Sequence, residues 1–356
     1  MTNFEIPEEK FNVKYLINII KEDLKEYQFE TFNLGISYPY SVTEEEKLLL
    51  KKEFQYDLVV GIEKELLKKR TEVSFGDIDI IIDFNYKQIE YKITSLYIYG
   101  IYNKYSRELP QTIDFCYKCR GKGCSFCNNT GILRNISIQE IIEKYLREKY
   151  NFKELKFHGA GREDIDVLML GNGREFIIEM TEPKERKINE KELLEIENNI
   201  NNNEKEKIKI SNLKITEKEK VAEIKNEKYF KKYKVTAECE TEINQEDLEK
   251  ITINKEFKIK QFTPKRVAKR RALITRERSV EILEVKKINN TIFEIEIKAE
   301  AGLYVKEFVS GEGEKTKPSI SEIININCKC IKLDVTWIYR EWFKLKKKLD
   351  LFKKLF

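Results

Sequence analysis

Two cysteine pairs constrain this chain more than anything else in it. Cys116-Tyr117-Lys118-Cys119 and Cys124-Ser125-Phe126-Cys127 stand four residues apart, with Gly121 and Gly123 between them. Each C-x-x-C pair can set two thiolates on one ion, and the glycines let the backbone turn back so that all four reach a tetrahedron. Disulfides would gain nothing for four adjacent cysteines in a reducing compartment. Arg120 and Lys122 favour the thiolate form. The spacing therefore predicts a structural Zn2+ on Cys116, Cys119, Cys124 and Cys127. Four protein ligands close the coordination sphere, so a catalytic metal is not expected. Cys239, Cys328 and Cys330 lie in apolar strand patterns and read as buried.

A module this small needs a larger body to sit on. The 356 residues are too many for one typical domain, and 41% of them are hydrophobic, enough for folded cores. Net charge is only +5, from 67 basic and 62 acidic side chains, so partners must be inferred from local clusters. No apolar run approaches the ~20 residues of a membrane helix, and Met1 to Glu5 have neither the basic region nor the apolar core of a signal peptide. A soluble, cytoplasmic, monomeric protein is expected. The single histidine, His158, excludes multi-histidine metal sites within one chain. It leaves acid–base chemistry mainly to Asp, Glu, Lys, Tyr or Cys, and favours a carboxylate mechanism.

In chain order, apolar residues at Phe11, Tyr15, Leu16, Ile19, Ile20 and Leu24 predict a helix with one buried face. Phe32 to Tyr38 is a short extended run. Thr43 with Glu46 forms a capping box that opens a second helix to about Lys69. Ile78 to Phe84 and Ile89 to Tyr99 read as strands, so roughly the first hundred residues suggest an α/β unit. Tyr102 to Thr112 has rings to stack on bases and cations for phosphates, which suits RNA. Its other reading is a connecting segment whose tyrosines pack on a neighbouring domain. Ser137 with Glu140 caps another helix. A helix near Leu193 to Ile200 and a strand at Ile208 to Leu213 follow. From Lys231 the pattern is mainly β, with strands at Tyr233 to Ala237, Val280 to Val285, Ile292 to Ile297, Tyr304 to Phe308 and Cys328 to Ile338, and a short helix from Ser319. Glu341 to Phe356 reads as a short basic amphipathic helix that closes the domain, with contact to RNA as its alternative role.

The stretch Phe157-His158-Gly159-Ala160-Gly161-Arg162-Glu163-Asp164-Ile165-Asp166-Val167 packs charges and small residues between apolar runs. Leu155 to Phe157 reads as the end of a strand. Val167 to Leu170 and Phe176 to Met180 read as two more, joined by a turn at Gly171-Asn172-Gly173. A charged loop held between strands is where catalytic groups tend to lie, and a plain polar loop is its alternative. The densest basic run, Gln261 to Arg271, carries Lys265, Arg266, Lys269, Arg270 and Arg271.

These segments together resemble the pseudouridine synthases, most closely the archaeal and eukaryotic family that modifies uridines in the TΨC arm of tRNA. Gly161 to Val167 looks like that family's form of the Arg-x-Asp loop. Tyr102 to Thr112 and Thr263-Pro264-Lys265-Arg266-Val267 with Arg270-Arg271 are typical of it. Gly302-Leu303-Tyr304-Val305-Lys306-Glu307-Phe308-Val309 looks like its Gly-Thr-Tyr-Ile-Lys-Glu-Phe-Val motif. Leu303 departs from the usual threonine, and Ser310-Gly311-Glu312 stands where His-Gly-Asp is common.

The resemblance implies an α+β protein. Its C-terminal pseudouridine-synthase core would have a mixed, largely antiparallel sheet flanked by helices. Its N-terminal α/β, THUMP-like RNA-binding domain would carry the zinc knuckle. The expected boundaries are 1–135, 136–340 and a terminal helix 341–356. It further implies an isomerase acting on tRNA at uridine 54, uridine 55 or both, with no organic cofactor. Asp164 fits the nucleophile position, and a carboxylate can hold the sugar or base fragment covalently. Asp166 would point to the opposite side of an extended chain. Lys306 matches the base that pairs with the nucleophile. Tyr233 matches the aromatic that stacks on the target uridine and helps move its proton. Tyr233, Tyr304, Arg162, Arg266, Lys269, Arg270 and Arg271 would hold the RNA. A tRNA methyltransferase would instead need a glycine-rich loop after a first strand, for which Gly159-Ala160-Gly161 is too short. A non-catalytic zinc-containing tRNA-binding protein would have no reason to carry Asp164, Tyr233 and Lys306 at these motif places.

Overall fold

The structure is a computed structural model that describes residues 2–3, 12–71, 76–134, 136–251, 253, 256–268 and 271–340. Lys269, Arg270 and the expected basic helix 341–356 lie outside the described residues.

The first unit runs β1 (Thr2–Asn3), α1 (Val13–Asp23), β2 (Thr31–Ser37), α2 (Glu44–Lys52), α3 (Phe54–Leu66), β3 (Lys69–Arg70), β4 (Ile78–Asp83) and β5 (Gln88–Ile93). Its strands form one sheet in the order β1-β5-β4-β2-β3. Alternation along β4 buries Ile78, Ile80 and Ile82 against Leu16 and Ile20 of α1 and Leu58 and Ile62 of α3. Fully burying one such side chain contributes ~1.5–3 kcal/mol. The helix expected to run unbroken from Thr43 ends at Glu53 and restarts as α3. The apolar stripe belongs to Phe54, Leu58 and Ile62, whereas α2 buries none of its residues.

The second unit begins with β6 (Leu96–Lys104) and continues through α4 (Ile138–Arg147), β7 (Glu154–Gly159), β8 (Leu168–Thr181), α5 (Glu190–Asn203), β9 (Ile208–Thr216), α6 (Glu219–Asn226) and β10 (Lys231–Cys239). Then follow α7 (Gln245–Glu249), β11 (Glu256–Phe262), β12 (Thr275–Lys287), β13 (Ile292–Ala299), α8 (Val305–Ser310), β14 (Thr316–Lys317), α9 (Ile320–Ile324) and β15 (Cys328–Ile338). Ten strands form its sheet in the order β14-β11-β12-β13-β10-β15-β8-β6-β9, with β7 also on β8. All its pairings are antiparallel except β8 with β15. This is the mixed, helix-flanked α+β sheet expected.

The two sheets part at Thr94–Ser95, well before the boundary expected at 135, because β6 pairs with β8 and β9 rather than with the first sheet. The cysteine module therefore hangs from the large sheet. Each sheet has its own core. Segment 184–186 links them: Gln28 N donates to Lys184 O at 2.7 Å, and Arg186 Nε and Nη1 donate to Asp77 and to Thr94 O.

Two expected elements take other forms. Gly171-Asn172-Gly173 is no hairpin turn, since β8 continues through it with both glycines at positive φ. The register of β6 on β8 shifts there instead, between Tyr102 and Lys104. A Cβ on Gly171 would stand 1.8 Å from Thr336 O, so only glycine lets β15 pass. Asn172 exchanges two hydrogen bonds with the backbone of Ile338 and fixes that crossing. The run expected as a strand at Tyr304 to Phe308 is helix α8 from Val305. Val305, Phe308 and Val309 have the helical spacing that buries one face, and Gly311 ends the helix at φ 75°.

Candidate active site

The charged loop leaves β7 at Gly159 and bends at Gly161, φ +85°. Val167 N donates to Asp164 O at 3.1 Å and closes a turn over Ile165 and Asp166. Lys104 holds this turn from behind, with Nζ donating to Ile165 O at 2.7 Å, Asp164 O at 3.3 Å and Leu109 O at 3.1 Å. Burial lowers its ammonium to about 8, although Glu163 and Asp166 oppose the shift.

Glu163 points inward. Its side chain is 2% exposed and pairs with Arg174 Nε at 2.9 Å, itself 1% exposed. The Tyr102 hydroxyl reaches both its oxygens at 2.9 Å. Gln111 Nε2 donates to Tyr102 Oη at 2.8 Å and to Gly161 O at 3.0 Å. Burial, with the Glu163 charge, pushes the Tyr102 phenol well above its ordinary range. With Glu163 anchored below, its neighbour Asp164 is presented to the cleft.

Asp164 is half-exposed. Arg266 Nη1 donates to both of its carboxylate oxygens, at 3.0 and 2.8 Å. The same guanidinium donates Nε and Nη2 to Glu307 at 2.5 and 3.1 Å, and Glu307 is buried. Burial disfavours the Arg266 charge, but Glu307 and Asp164 outweigh it and hold the guanidinium above its ordinary value. Lys306 Nζ is 3.5 Å from Asp164 and 2.7 Å from Asp166. Two expectations are corrected here. Lys306 pairs chiefly with Asp166 rather than with Asp164. Asp166 does not face away, because the chain turns at Ile165-Asp166 instead of staying extended. Burial raises the Asp166 carboxyl, but Lys306 outweighs it and holds the group below its ordinary value.

These residues open on a cleft of about 780 Å3. Asp164, Tyr233, Tyr304, Arg162, Arg266 and Arg271 line it together, while Lys306 of α8 is not in its wall and touches it only through the Asp164 contact at 3.5 Å. Tyr233 is 9% exposed, and burial pushes its phenol up to about 12. Lys231, two residues before it on β10, also lines the cleft. Burial, with Arg174 beside it, lowers its amine to about 7 against the pull of Glu163. Gln261 clamps Tyr304 from both sides, donating to its carbonyl at 3.0 Å and accepting its N–H at 2.9 Å. Of the motif departures, Leu303 is a buried cleft residue, and Glu312 accepts the backbone N–H of Lys265 at 3.0 Å, one residue before Arg266.

The Tyr102 to Thr112 run departs from its RNA-facing reading. Tyr102 and Lys104 are buried under the charged loop, and Arg107 binds Asp166 O, Leu333 O and Asp334. Its alternative reading, a connector packed on a neighbouring domain, fits no better: Tyr102 to Lys104 end strand β6 and pack within their own sheet, while Tyr105 is exposed. Sequence reasoning passed over Glu163, Arg174, Gln261 and Glu307 as working side chains. One signal was available: Gln261 occupies an inward slot of β11, where alternation calls for an apolar residue.

The cysteines converge. Their ligand atoms lie within 4.8 Å of one another, with Sγ···Sγ distances of 3.8 Å for Cys116–Cys124 and Cys119–Cys127 and 3.7 Å for Cys124–Cys127. Four sulfurs at ~2.3 Å from a tetrahedral ion stand about 3.8 Å apart, so the cluster fits one such metal. Backbone N–H groups of Gly123 and Gly131 point at Cys119 and Cys127 Sγ, each at 3.2 Å, as suits thiolates.

The family model described as "Pus10, C-terminal" matches residues 97–339, which begins at the second sheet and ends with it. The chain belongs to the Pus10 family. The tRNA pseudouridine synthase Pus10 of Methanocaldococcus jannaschii is 38% identical over 93% of this chain and 73% of its own length. The Pus10 of Archaeoglobus fulgidus, under the same description, is 35% identical over 89% of each chain. Among solved structures, a Cbf5-Nop10-Gar1 complex overlaps 67% of this chain and 57% of its own at 11% identity and a TM-score of 0.33, too slight to argue from. No helix among the described residues is long and apolar enough to cross a membrane.

Proposed function

We propose that this Pus10 member is a tRNA pseudouridine synthase that isomerises uridine in the TΨC arm with Asp164 as nucleophile. The observation that carries this reading is the Asp164 carboxylate, aimed into an arginine-lined cleft and held there by Arg266, which Glu307 anchors in turn. The reaction breaks the bond from uracil N1 to ribose C1′ and forms one from C5 to C1′. The C5 proton is lost and N1 gains one, so atoms balance with no oxidant or carried group. Asp164 would trap the fragment covalently while the base turns. Tyr233, in the cleft wall, would stack on it.

Arg162 and Arg271 at the cleft would hold the RNA backbone, joined by Lys269 and Arg270. The N-terminal unit would be the THUMP-like domain, and Zn2+ the ion on the four cysteines, in a structural role. The same reading keeps the enzyme cytoplasmic and monomeric. A methyltransferase is disfavoured, because Gly159-Ala160-Gly161 ends a strand paired antiparallel to β8 and opens no helix.

Nearest-neighbour analysis of a tRNA transcript treated with the pure protein tests the reading and identifies the uridine. Pseudouridine is expected from the parent and absent from Asp164→Asn, which should still bind tRNA. Full activity in Asp164→Asn would remove the assignment.

A further inference from the structure

The cysteine module carries an exposed set of rings that its metal does not need. Phe115, Tyr117 and Phe126 are 57%, 65% and 47% exposed. Tyr117 and Phe126 meet edge to face with centroids 5.3 Å apart, and Lys118 Nζ sits 4.0 Å over the Phe126 ring. Aromatic side chains left this open on a small module mark a contact surface. Its charge points to the partner: between residues 114 and 134 the cations are Lys118, Arg120, Lys122 and Arg134, and the only acid is Asp114.

The surface is continuous with the cleft. The module closes at its base through the Phe115–Ile132 bridge, with Leu133 N donating to Asp114 O at 2.8 Å and an Asp114–Arg134 ion pair. Asp114, Leu133 and Arg134 are also cleft-lining residues, on the same wall system as Asp164. The same short segment thus supplies cleft-lining residues at its base and carries the exposed rings.

We infer that Tyr117, Phe126 and Lys118 form a stacking platform for an unpaired nucleotide of the same tRNA whose target uridine enters the cleft. Rings take any base face, and the neighbouring cations take the phosphates. The four cysteines would then be a positioning device for substrate as well as a staple for the chain. The inference rests on the tRNA reading above and adds a second contact to it.

The test uses the full-length, metal-loaded protein and a tRNA transcript carrying 4-thiouridine. Irradiation should link RNA to the peptide spanning residues 117–126. Tyr117→Ala/Phe126→Ala should keep one metal per chain, raise Kd and KM for tRNA about tenfold, the effect of losing one stacked base, and leave the single-turnover rate at saturation unchanged. Tyr117→Phe/Phe126→Tyr, which keeps both rings, should restore binding. Unchanged Kd and KM with no crosslink would overturn the platform, and so would a weakened affinity not rescued by the ring-preserving pair. A parent that binds tRNA but makes no pseudouridine would sink the catalytic reading instead, so the two failures are distinct.

Discussion

Arg266 Nη1 spans both oxygens of Asp164, while Lys306 Nζ stands 3.5 Å from that carboxylate and spends its charge on Asp166. The cation that orients the proposed nucleophile therefore comes from the loop after β11. Removing a charge-assisted hydrogen bond of this kind costs ~1.5–3 kcal/mol, about tenfold to a hundredfold in rate. Arg266→Gln should lower the single-turnover rate by that much. Lys306→Met should do less, because Asp164 keeps its main partner. Arg266→Lys should not restore the rate, since one ammonium cannot bridge Asp164 and Glu307 as the planar fork does. Equal losses in Arg266→Gln and Lys306→Met would return the orienting role to Lys306.

Glu163 and Arg174 carry a different load. Both are nearly inaccessible, and they tie the loop between β7 and β8 to the sheet. Removing one partner leaves a buried charge uncompensated, a loss of ~3–5 kcal/mol. Arg174→Met should destabilise the fold by about that amount in urea unfolding. The double variant Glu163→Gln/Arg174→Met should recover much of it, because no bare charge remains. A double variant as unstable as the sum of the two singles would mean the pair is not a coupled unit.

What the sequence made legible follows from range along the chain. The helix starts at Thr43, Ser137 and Ser319 were readable because each cap meets a backbone N–H three residues on. The cysteine cluster was readable for the same reason. The partner of Asp164 was not, because Arg266 lies 102 positions away and reaches it only after β11 and the loop pack together. The glycines at 171 and 173 signal a turn locally. The actual use of Gly171, letting β15 pass, depends on Thr336 far downstream, and that of Gly173, letting β6 approach, on Tyr102 far upstream. The Tyr304 to Phe308 run was too short for periodicity to separate strand from helix. Tyr102 and Lys104 resembled an RNA-facing loop by composition, yet burial turned them into supports for the turn that carries Asp164.

The proposed zinc has its own measurement. Metal analysis of protein expressed with adequate zinc should find one equivalent per chain. Cys119→Ser should lose it, because three thiolates and a hydroxyl hold the ion poorly. Since the module lies between β6 and α4 of the second unit rather than in the first sheet, its loss should disturb residues 114–134 and the cleft wall while leaving the α1–α3 core folded. Hydrogen exchange resolves the two regions. Rapid exchange confined to residues 12–93 would contradict that placement.

Lys231 supplies a pH signature. Its amine and the Arg174 guanidinium both lie near Gly161, with Nζ 3.5 Å and Nη1 3.1 Å from where a Cβ on that glycine would stand. Burial and the Arg174 charge disfavour its protonated form, and Glu163 only partly offsets them, so the folded amine titrates at about 7. In the unfolded chain it would titrate near ~10.4. Between these values the unfolded state binds more protons, so stability rises with pH as this cost is relieved, and the cost is complete below about 7. Lys231→Met keeps the stem and has no charge to bury. Its stability relative to the parent should be greatest at about pH 6 and decline steadily as pH rises through 7 towards ~10. Urea unfolding of parent and variant across that range is the measurement. A difference that does not change with pH would mean that Lys231 is charged alike in the folded and unfolded chain, and that the Glu163 carboxylate balances it fully.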